Sequence, residues 1–158
     1  MNFLFYLAIP FLVITLVVNG QVLFEETNDQ FVQQIENTYQ KGVDFLAKTQ
    51  NDQGSWDDST YGSNPGVVGM SILAFLARGD DPEFGPYRKS ITKALTFLLK
   101  LQDKKTGYIG SSMYNHGFAT LALAEIYGRT NIQGIGPALE KATRLIISSQ
   151  KNNPKGAW

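Results

Sequence analysis

The only histidine of the chain, His116, is the first residue to consider for chemistry. It lies in the segment Tyr114-Asn115-His116-Gly117, at the start of a predicted apolar helix. A helix N-terminus favours the neutral imidazole, which can act as a base or a hydrogen-bond partner near pH 7. The structural alternative is that Asn115 caps the helix and His116 fills a turn between repeats. We favour this alternative, because no nucleophile can be identified beside the histidine.

Two adjacent carboxylates, Asp57 and Asp58, are the second candidate for acid–base chemistry. Side chains adjacent in sequence seldom point at one target, so we favour a loop that these residues cap and solubilise. Tyr61 and Tyr114 both follow turns and, together with Asn115, are candidates for the mouth of a cavity. The alternative for both tyrosines is packing against the body of the protein.

The composition of the chain gives little support to a metal site, a bound cofactor or a nucleic-acid partner. The chain has no cysteine and one histidine, and its acidic pairs lack metal-ligand spacing, so we expect no metal and no cofactor. Fourteen basic and fourteen acidic residues cancel without a basic stripe, which argues against a nucleic-acid partner. With 43% hydrophobic and 12% aromatic residues, the chain can bury a core.

A repeated turn that begins with a glutamine organises the chain. The three glutamines are 52 and 48 residues apart, and periods of this length are typical of repeat architectures. The three glutamine turns are Gln50, Gly54 and Trp56; Gln102, Gly107 and Tyr108; and Gln150, Gly156 and Trp158. The amide can satisfy backbone groups at helix ends, glycine permits a positive φ, and the aromatic ring can cover the turn. We therefore interpret the glutamine turns as structural joints between outer and inner helices.

Amphipathic helices precede the glutamines. Their apolar face holds Ile35, Tyr39, Val43 and Leu46 in the first copy, Ile91, Leu95 and Leu98 in the second, and Leu139, Thr143 and Ile146 in the third. A lysine followed by a small residue also recurs, as Lys41-Gly42, Lys93-Ala94 and Lys141-Ala142. We expect the small residues to let a neighbouring element approach closely.

The segments 67–77 and 117–128 are apolar almost all round, so each must be surrounded by protein. Aligning Gly69 with Gly117 pairs Met70 with Phe118. No segment alternates apolar and polar residues over a length sufficient to predict a β-strand. The prediction is an all-α fold in which outer amphipathic helices cover inner apolar ones, each pair stacking on the next.

The turn sequence QNDQGSW (50–56) resembles the QxxxGxW repeat of squalene and oxidosqualene cyclases and related prenyltransferase-type proteins. Segments 58–79 and 113–128 resemble the secreted bacterial prenyltransferase/squalene-oxidase repeat proteins of the terpenoid cyclase/protein prenyltransferase superfamily. The resemblance covers residues 31–158 and implies an α/α toroid, with inner helices around a cavity. The DxDD acid motif of class II terpene cyclases is absent, and the Asp, Cys and His zinc ligands of protein prenyltransferases cannot be assembled.

Because no catalytic constellation is visible, we expect a binding or scaffold module with no complete catalytic site in this segment. The alternatives are the N-terminal part of a terpene cyclase or prenyltransferase-like enzyme, or of a carbohydrate-active toroid, with catalytic residues downstream. We expect an apolar small molecule or a protein as partner, and self-association through an exposed open edge. The third turn closes at Trp158 without an inner helix after it, so we expect an incomplete barrel of about two and a half repeats.

Residues 3–18 are uncharged and apolar, which predicts that segment 1–20 is a signal peptide for export. We expect cleavage after Gly20. The alternative is a retained anchor, although the apolar stretch is short for a span. Residues 21–30 are expected to form an irregular lead, and no stable membrane span remains after signal removal. The predicted repeats are 31–78, 79–128 and 129–158.

Overall fold

The computed structural model describes residues 29–57, 60, 63–153 and 155, and these residues contain helices and connecting turns without any strand. The helices are α1 (29–49), α2 (Pro65–Leu76), α3 (Arg88–Leu101), α4 (Met113–Ile126) and α5 (Ile135–Asn152). The predicted all-α class is confirmed. None of the helices in these residues is long and apolar enough to cross a membrane.

The chain divides into two compact units, Met1–Gly42 and Val43–Trp158. In the first unit, the described residues 29–42 are helical and mostly exposed, including Phe31 and Ile35. The helix already includes residues 29 and 30, which the sequence analysis assigned to an irregular lead. The predicted signal peptide and residues 21–28 lie outside the described residues.

In the second unit, α2 and α4 pack extensively against each other, α3 packs on α2, and α5 packs on α4. The inner helices α2 and α4 bury residues on several sides, among them Val68, Ile72 and Phe75 of α2, which have no exposed surface. In contrast, α3 buries a single stripe, Ile91, Ala94, Leu95 and Leu98. An apolar helix is stable when protein packs against it on all sides, and an amphipathic helix packs against it through its one apolar face.

Two glycines let the backbones of α2 and α4 approach closely. A Cβ atom added at Gly69 would lie 2.6 Å from the carbonyl oxygen of Phe118. A Cβ atom added at Gly66 would lie 2.9 Å from Oδ1 of Asn115. At Gly69 the nearest atoms belong to the backbone of α4, so a larger residue there would push the two inner helices apart.

The inner helices begin earlier than their apolar sequences suggest. Asn64 caps α2, its Oδ1 accepting a hydrogen bond of 2.8 Å from the backbone N–H of Gly66. Ser112 caps α4 through a bond of 3.2 Å from the N–H of Asn115 to its Oγ. The prediction that Asn115 is the cap was wrong, because the Ser112 hydroxyl takes that role and places Asn115 in the first turn.

Candidate functional site

The first two glutamine turns make the same pair of hydrogen bonds. Nε2 of Gln50 donates to the carbonyl oxygens of Gly54 at 3.2 Å and Ser90 at 3.0 Å. Nε2 of Gln102 donates to the carbonyl oxygens of Gly107 at 3.0 Å and Ala138 at 2.8 Å. Ser90 and Ala138 occupy equivalent positions, twelve residues before the next repeat's glutamine. Each turn therefore holds its own loop closed and binds it to the next outer helix, a partner that the sequence analysis did not anticipate.

The turn glycines and the recurring lysines belong to the same joint. Gly54 and Gly107 have φ angles of 91° and 80°, and a Cβ at either would lie within 2.6 Å of an atom of Lys93 or Lys141. The ammonium group of Lys93 is 3.4 Å from a carboxylate oxygen of Asp52. That of Lys141 donates a bond of 2.9 Å to the carbonyl oxygen of Lys104. Each lysine thus holds the residue two positions after the preceding glutamine.

The aromatic residues of the turns act as braces. Nε1 of Trp56 donates a hydrogen bond of 2.9 Å to the carbonyl oxygen of Leu46, and its ring lies 6.4 Å from that of Phe75. The ring of Tyr108 lies 5.3 Å from that of His116. These contacts are internal, so neither ring is a free platform on which a ligand could stack.

The third glutamine turn differs from the first two. Gln150 lies inside α5, which continues to Asn152, and the residue is exposed. Its interpretation as a turn residue equivalent to Gln50 and Gln102 was wrong in this respect, because the helix does not end there. Gly156 and Trp158 lie outside the described residues.

His116 is a fully buried cross-link in the first turn of α4. Its Nδ1 accepts a hydrogen bond of 3.1 Å from the backbone N–H of Ile109. Nδ1 therefore carries no proton, and Nε2 carries the hydrogen that bonds to the carbonyl oxygen of Ala142 at 3.1 Å. Burial lowers the pKa of His116 below its ordinary value, and the Ala142 bond partly offsets this effect. Both ring nitrogens are engaged, so His116 ties three segments together and has none left to act as a base.

Asp57 is held in a hydrogen-bonded loop. Its carboxylate accepts a bond of 2.7 Å from Nδ2 of Asn51 and another from the hydroxyl of Ser63. These bonds lower the pKa of Asp57, and a carboxyl group that stays ionised is unsuited to donate a proton near neutral pH. Asp58 and Tyr61 lie outside the described residues.

A similar carboxylate joins the two loops that connect inner to outer helices. Glu83 accepts a bond of 2.8 Å from the N–H of Asn131 and another from the hydroxyl of Thr130, and these bonds lower its pKa. Asp81 accepts a bond of 2.7 Å from the N–H of Glu83. Within the described residues, no group of three His, Asp or Glu side chains is arranged to hold a metal ion. These acidic residues therefore organise the loops.

An apolar groove of about 480 Å³ lies between α4 and α5 and is here called the α4/α5 groove. Its lining residues are Tyr114, Gly117, Phe118, Thr120, Leu121, Ala124, Leu139, Thr143 and Ile146. Tyr114 is 60% exposed and Leu121 52%, and the Tyr114 ring packs edge-on against Phe118 at 4.8 Å. The hydroxyl of Thr120 is already used, donating to the carbonyl oxygen of His116. Among the residues that the structure describes, no charged side chain lines the groove.

The same groove exists one repeat earlier, where it is filled. The counterparts of its lining residues, 48 positions earlier, are Gly66, Gly69, Met70, Ile72, Leu73, Leu76, Ile91, Leu95 and Leu98. All except Met70 and Leu73 are buried. At this place α4 packs onto α2, with Asn115 and Phe118 against Gly66 and Gly69. The α4/α5 groove is thus the open equivalent of a surface that holds an inner helix elsewhere in the chain.

Tyr114 was expected at the mouth of a cavity, and Leu139, Thr143 and Ile146 on the apolar face of an outer helix, but a groove formed by all four was not predicted. The sequence feature that could have revealed the groove is the alignment of the repeats. It pairs Leu139, Thr143 and Ile146 with Ile91, Leu95 and Leu98. Comparison of the chain with known protein families, with characterised proteins and with solved structures finds no match. The groove and the repeated joints therefore provide the basis for a functional assignment.

Proposed function

We propose that the chain is a repeat module of the α/α-toroid type that works as a protein-binding scaffold, and that the α4/α5 groove receives an apolar helix of a protein partner. The observation that carries this proposal is the occupied counterpart of the groove, where α4 packs onto α2 and where Ile91, Leu95 and Leu98 of α3 are buried. A surface built on the same repeat, with the same spacing, is shaped for the same kind of occupant.

A helix suits the groove better than an apolar small molecule does. Small-molecule sites enclose most of the ligand and carry a few convergent polar groups that orient it. In this groove Tyr114 and Leu121 are more than half exposed, and the Thr120 hydroxyl is already bonded. An open surface lined by apolar residues of two helices instead matches recognition of a helix by its apolar face.

Two further observations support the toroid-type assignment. The first is the resemblance of the glutamine turns to the QxxxGxW repeat. The second is that Gln50 and Gln102 bind equivalent positions of successive outer helices, as repeats related by a constant step require. The signal-like segment 1–20 supports export of the module, and we propose that it works outside the cytoplasm.

The proposal is tested with a fluorescent peptide of residues 111–128, which contains α4, the occupant of the equivalent groove. Terminal lysines added to the peptide keep it in solution, and fluorescence anisotropy measures its binding to the full chain. We expect saturable binding that Leu121→Lys weakens at least about tenfold, because a lysine in the groove would have to be desolvated. Phe84→Lys is the matched control, since Phe84 is 87% exposed and lies outside the groove.

A peptide that fails to bind the wild-type chain would overturn the proposal. So would equal affinity of Leu121→Lys and wild type. A C15 prenyl alcohol, titrated in parallel by intrinsic fluorescence, tests the small-molecule alternative. Binding of the alcohol without binding of the peptide would reassign the groove to an apolar ligand.

A further inference from the structure

We infer that Tyr114 decides which helices can enter the α4/α5 groove, because it favours those with glycine at the position that faces it. This inference rests on the proposed function and concerns the partner of the same groove. Its template is the packing of α4 on α2 inside the chain, here called the α2–α4 contact, which the groove would continue one repeat further.

In the α2–α4 contact, a glycine stands where the groove has Tyr114. This glycine is Gly66 of α2, 48 positions earlier in the chain. A Cβ atom added at Gly66 would lie 2.9 Å from Oδ1 of Asn115 and 3.3 Å from its Cα atom. The buried Asn115 therefore occupies room that exists because position 66 has no side chain.

One turn away, the groove keeps the glycine that close packing needs. Gly117 is the counterpart of Gly69, where an added Cβ would lie 2.6 Å from the carbonyl oxygen of Phe118 and 3.0 Å from the backbone nitrogen of Ala119. Three residues advance only about 4.5 Å along a helix, so a helix that lies on Gly117 also passes Tyr114. It cannot both keep the close approach at Gly117 and move clear of Tyr114.

The side chain of Tyr114 lines the groove, and its ring packs edge-on against that of Phe118, with the ring centroids 4.8 Å apart. An incoming helix with a side chain at the position of Asn115 would overlap the Tyr114 ring, and overpacking of this kind is destabilising. A glycine at that position removes the overlap and lets the ring lie against the backbone of the incoming helix.

The partner is therefore an apolar helix with glycine at one position and a small residue four positions later, on the same face. The small residue corresponds to Ala119, which has no exposed surface in the α2–α4 contact. The described lining of the groove holds no charged side chain, so a charge on this face of the partner would be desolvated without a counter-charge.

The test compares two fluorescent peptides, residues 111–128 and the same peptide with Asn115→Gly. Fluorescence anisotropy measures the affinity of each peptide for the full chain and for its variants. We expect the glycine peptide to bind the wild type at least about fivefold more tightly, because its overlap with the Tyr114 ring is removed. Tyr114→Ala should abolish this preference, whereas Tyr114→Phe, which keeps the ring, should retain it.

The ratio of the two affinities, taken for each chain variant, separates the effect of Tyr114 from the low helix propensity of glycine. That propensity belongs to the peptide and acts equally on every variant. Tyr127→Ala is the matched control, since Tyr127 is 61% exposed and does not line the groove, and it should leave the preference unchanged. Circular dichroism checks that each variant is folded.

Equal affinity of the two peptides for the wild type would overturn the inference and leave the proposed function in place. A preference for the glycine peptide that persists in Tyr114→Ala would also overturn it, because Tyr114 would then not be the cause. If neither peptide binds the wild type, the proposed function fails, and the inference fails with it.

Discussion

Nε2 of Gln102 donates a hydrogen bond of 2.8 Å to the carbonyl oxygen of Ala138, 36 residues further along the chain. The same nitrogen also holds Gly107, so one amide closes a loop and attaches it to the following outer helix. The Gln50 amide makes the equivalent pair of bonds in the preceding repeat. These glutamines are therefore the joints that set the step from one repeat to the next.

Replacement of Gln102 by alanine is expected to lower the free energy of unfolding by about 1–3 kcal/mol, because both hydrogen bonds are lost at a buried site. Gln150→Ala is the matched control. Gln150 occupies the equivalent sequence position, but it is helical and exposed, so its loss should cost less than about 0.5 kcal/mol. Urea denaturation monitored by circular dichroism measures both values. Equal effects of the two substitutions would contradict the role assigned to Gln102.

Gly107→Ala should destabilise the chain more than Gly128→Ala does. Both glycines have nearly the same φ, 80° and 79°, so the backbone strain of an added Cβ is matched. A Cβ at Gly107 would lie 2.6 Å from Lys141, whereas a Cβ at Gly128 meets nothing within 4 Å. We expect the difference to be about 1–3 kcal/mol, the usual cost of overpacking. If thermal unfolding gives the same loss for both variants, the close packing of the second glutamine turn on α5 is not required for stability.

Stability should fall as pH decreases from about 7 to 5 because of His116. Its pKa is lowered below 6.5 in the folded chain, so the unfolded chain binds the proton more readily. The contribution of His116 is therefore fully present above pH 6.5 and is lost as pH falls through the folded pKa. Because a single proton is involved, the free energy of unfolding can change by at most about 1.4 kcal/mol per pH unit.

Urea denaturation at several pH values measures this dependence, and NMR can follow the chain's only histidine directly. In His116→Gln the dependence between pH 7 and 5 should disappear, whatever the variant's absolute stability. Three carboxyl groups also have a lowered pKa and stabilise the fold when they are ionised: those of Asp57, Glu83 and Asp103. Their contribution to stability is lost only at lower pH, as pH falls through their folded pKa values. A pH dependence that persists in His116→Gln would contradict the assignment.

Thr143→Leu should tighten binding of the α4 peptide to the groove. The substitution restores the leucine that the preceding repeat has at Leu95, and burial of the added apolar surface contributes about 1 kcal/mol. The expected gain in affinity is about fivefold. Ser148→Leu adds a leucine elsewhere on α5, outside the groove, and should leave the anisotropy titration unchanged. A gain of the same size for both variants would indicate non-specific hydrophobic binding.

Much of the fold was accessible from sequence because helix type is a local property. The spacing of Ile91, Leu95 and Leu98 predicted a one-sided helix, and α3 buries these residues on one face. The start of α4 was harder to predict, because Ser112 and Asn115 are both good caps and lie three residues apart. Which residue caps depends on the other contacts of each side chain, and Asn115 is buried against α2.

The sequence by itself determined the alternation of one-sided and apolar helices and the first two glutamine turns, because these depend on residues close together in the chain. The tertiary structure decided what each of these features touches. It assigned the Gln102 amide to Ala138, the His116 ring to Ile109 and Ala142, and an open groove to the face of Leu139 and Ile146. Those outcomes depend on how one repeat stacks on the next, because a hydrogen bond or a buried surface between distant residues exists only once the packing brings them together.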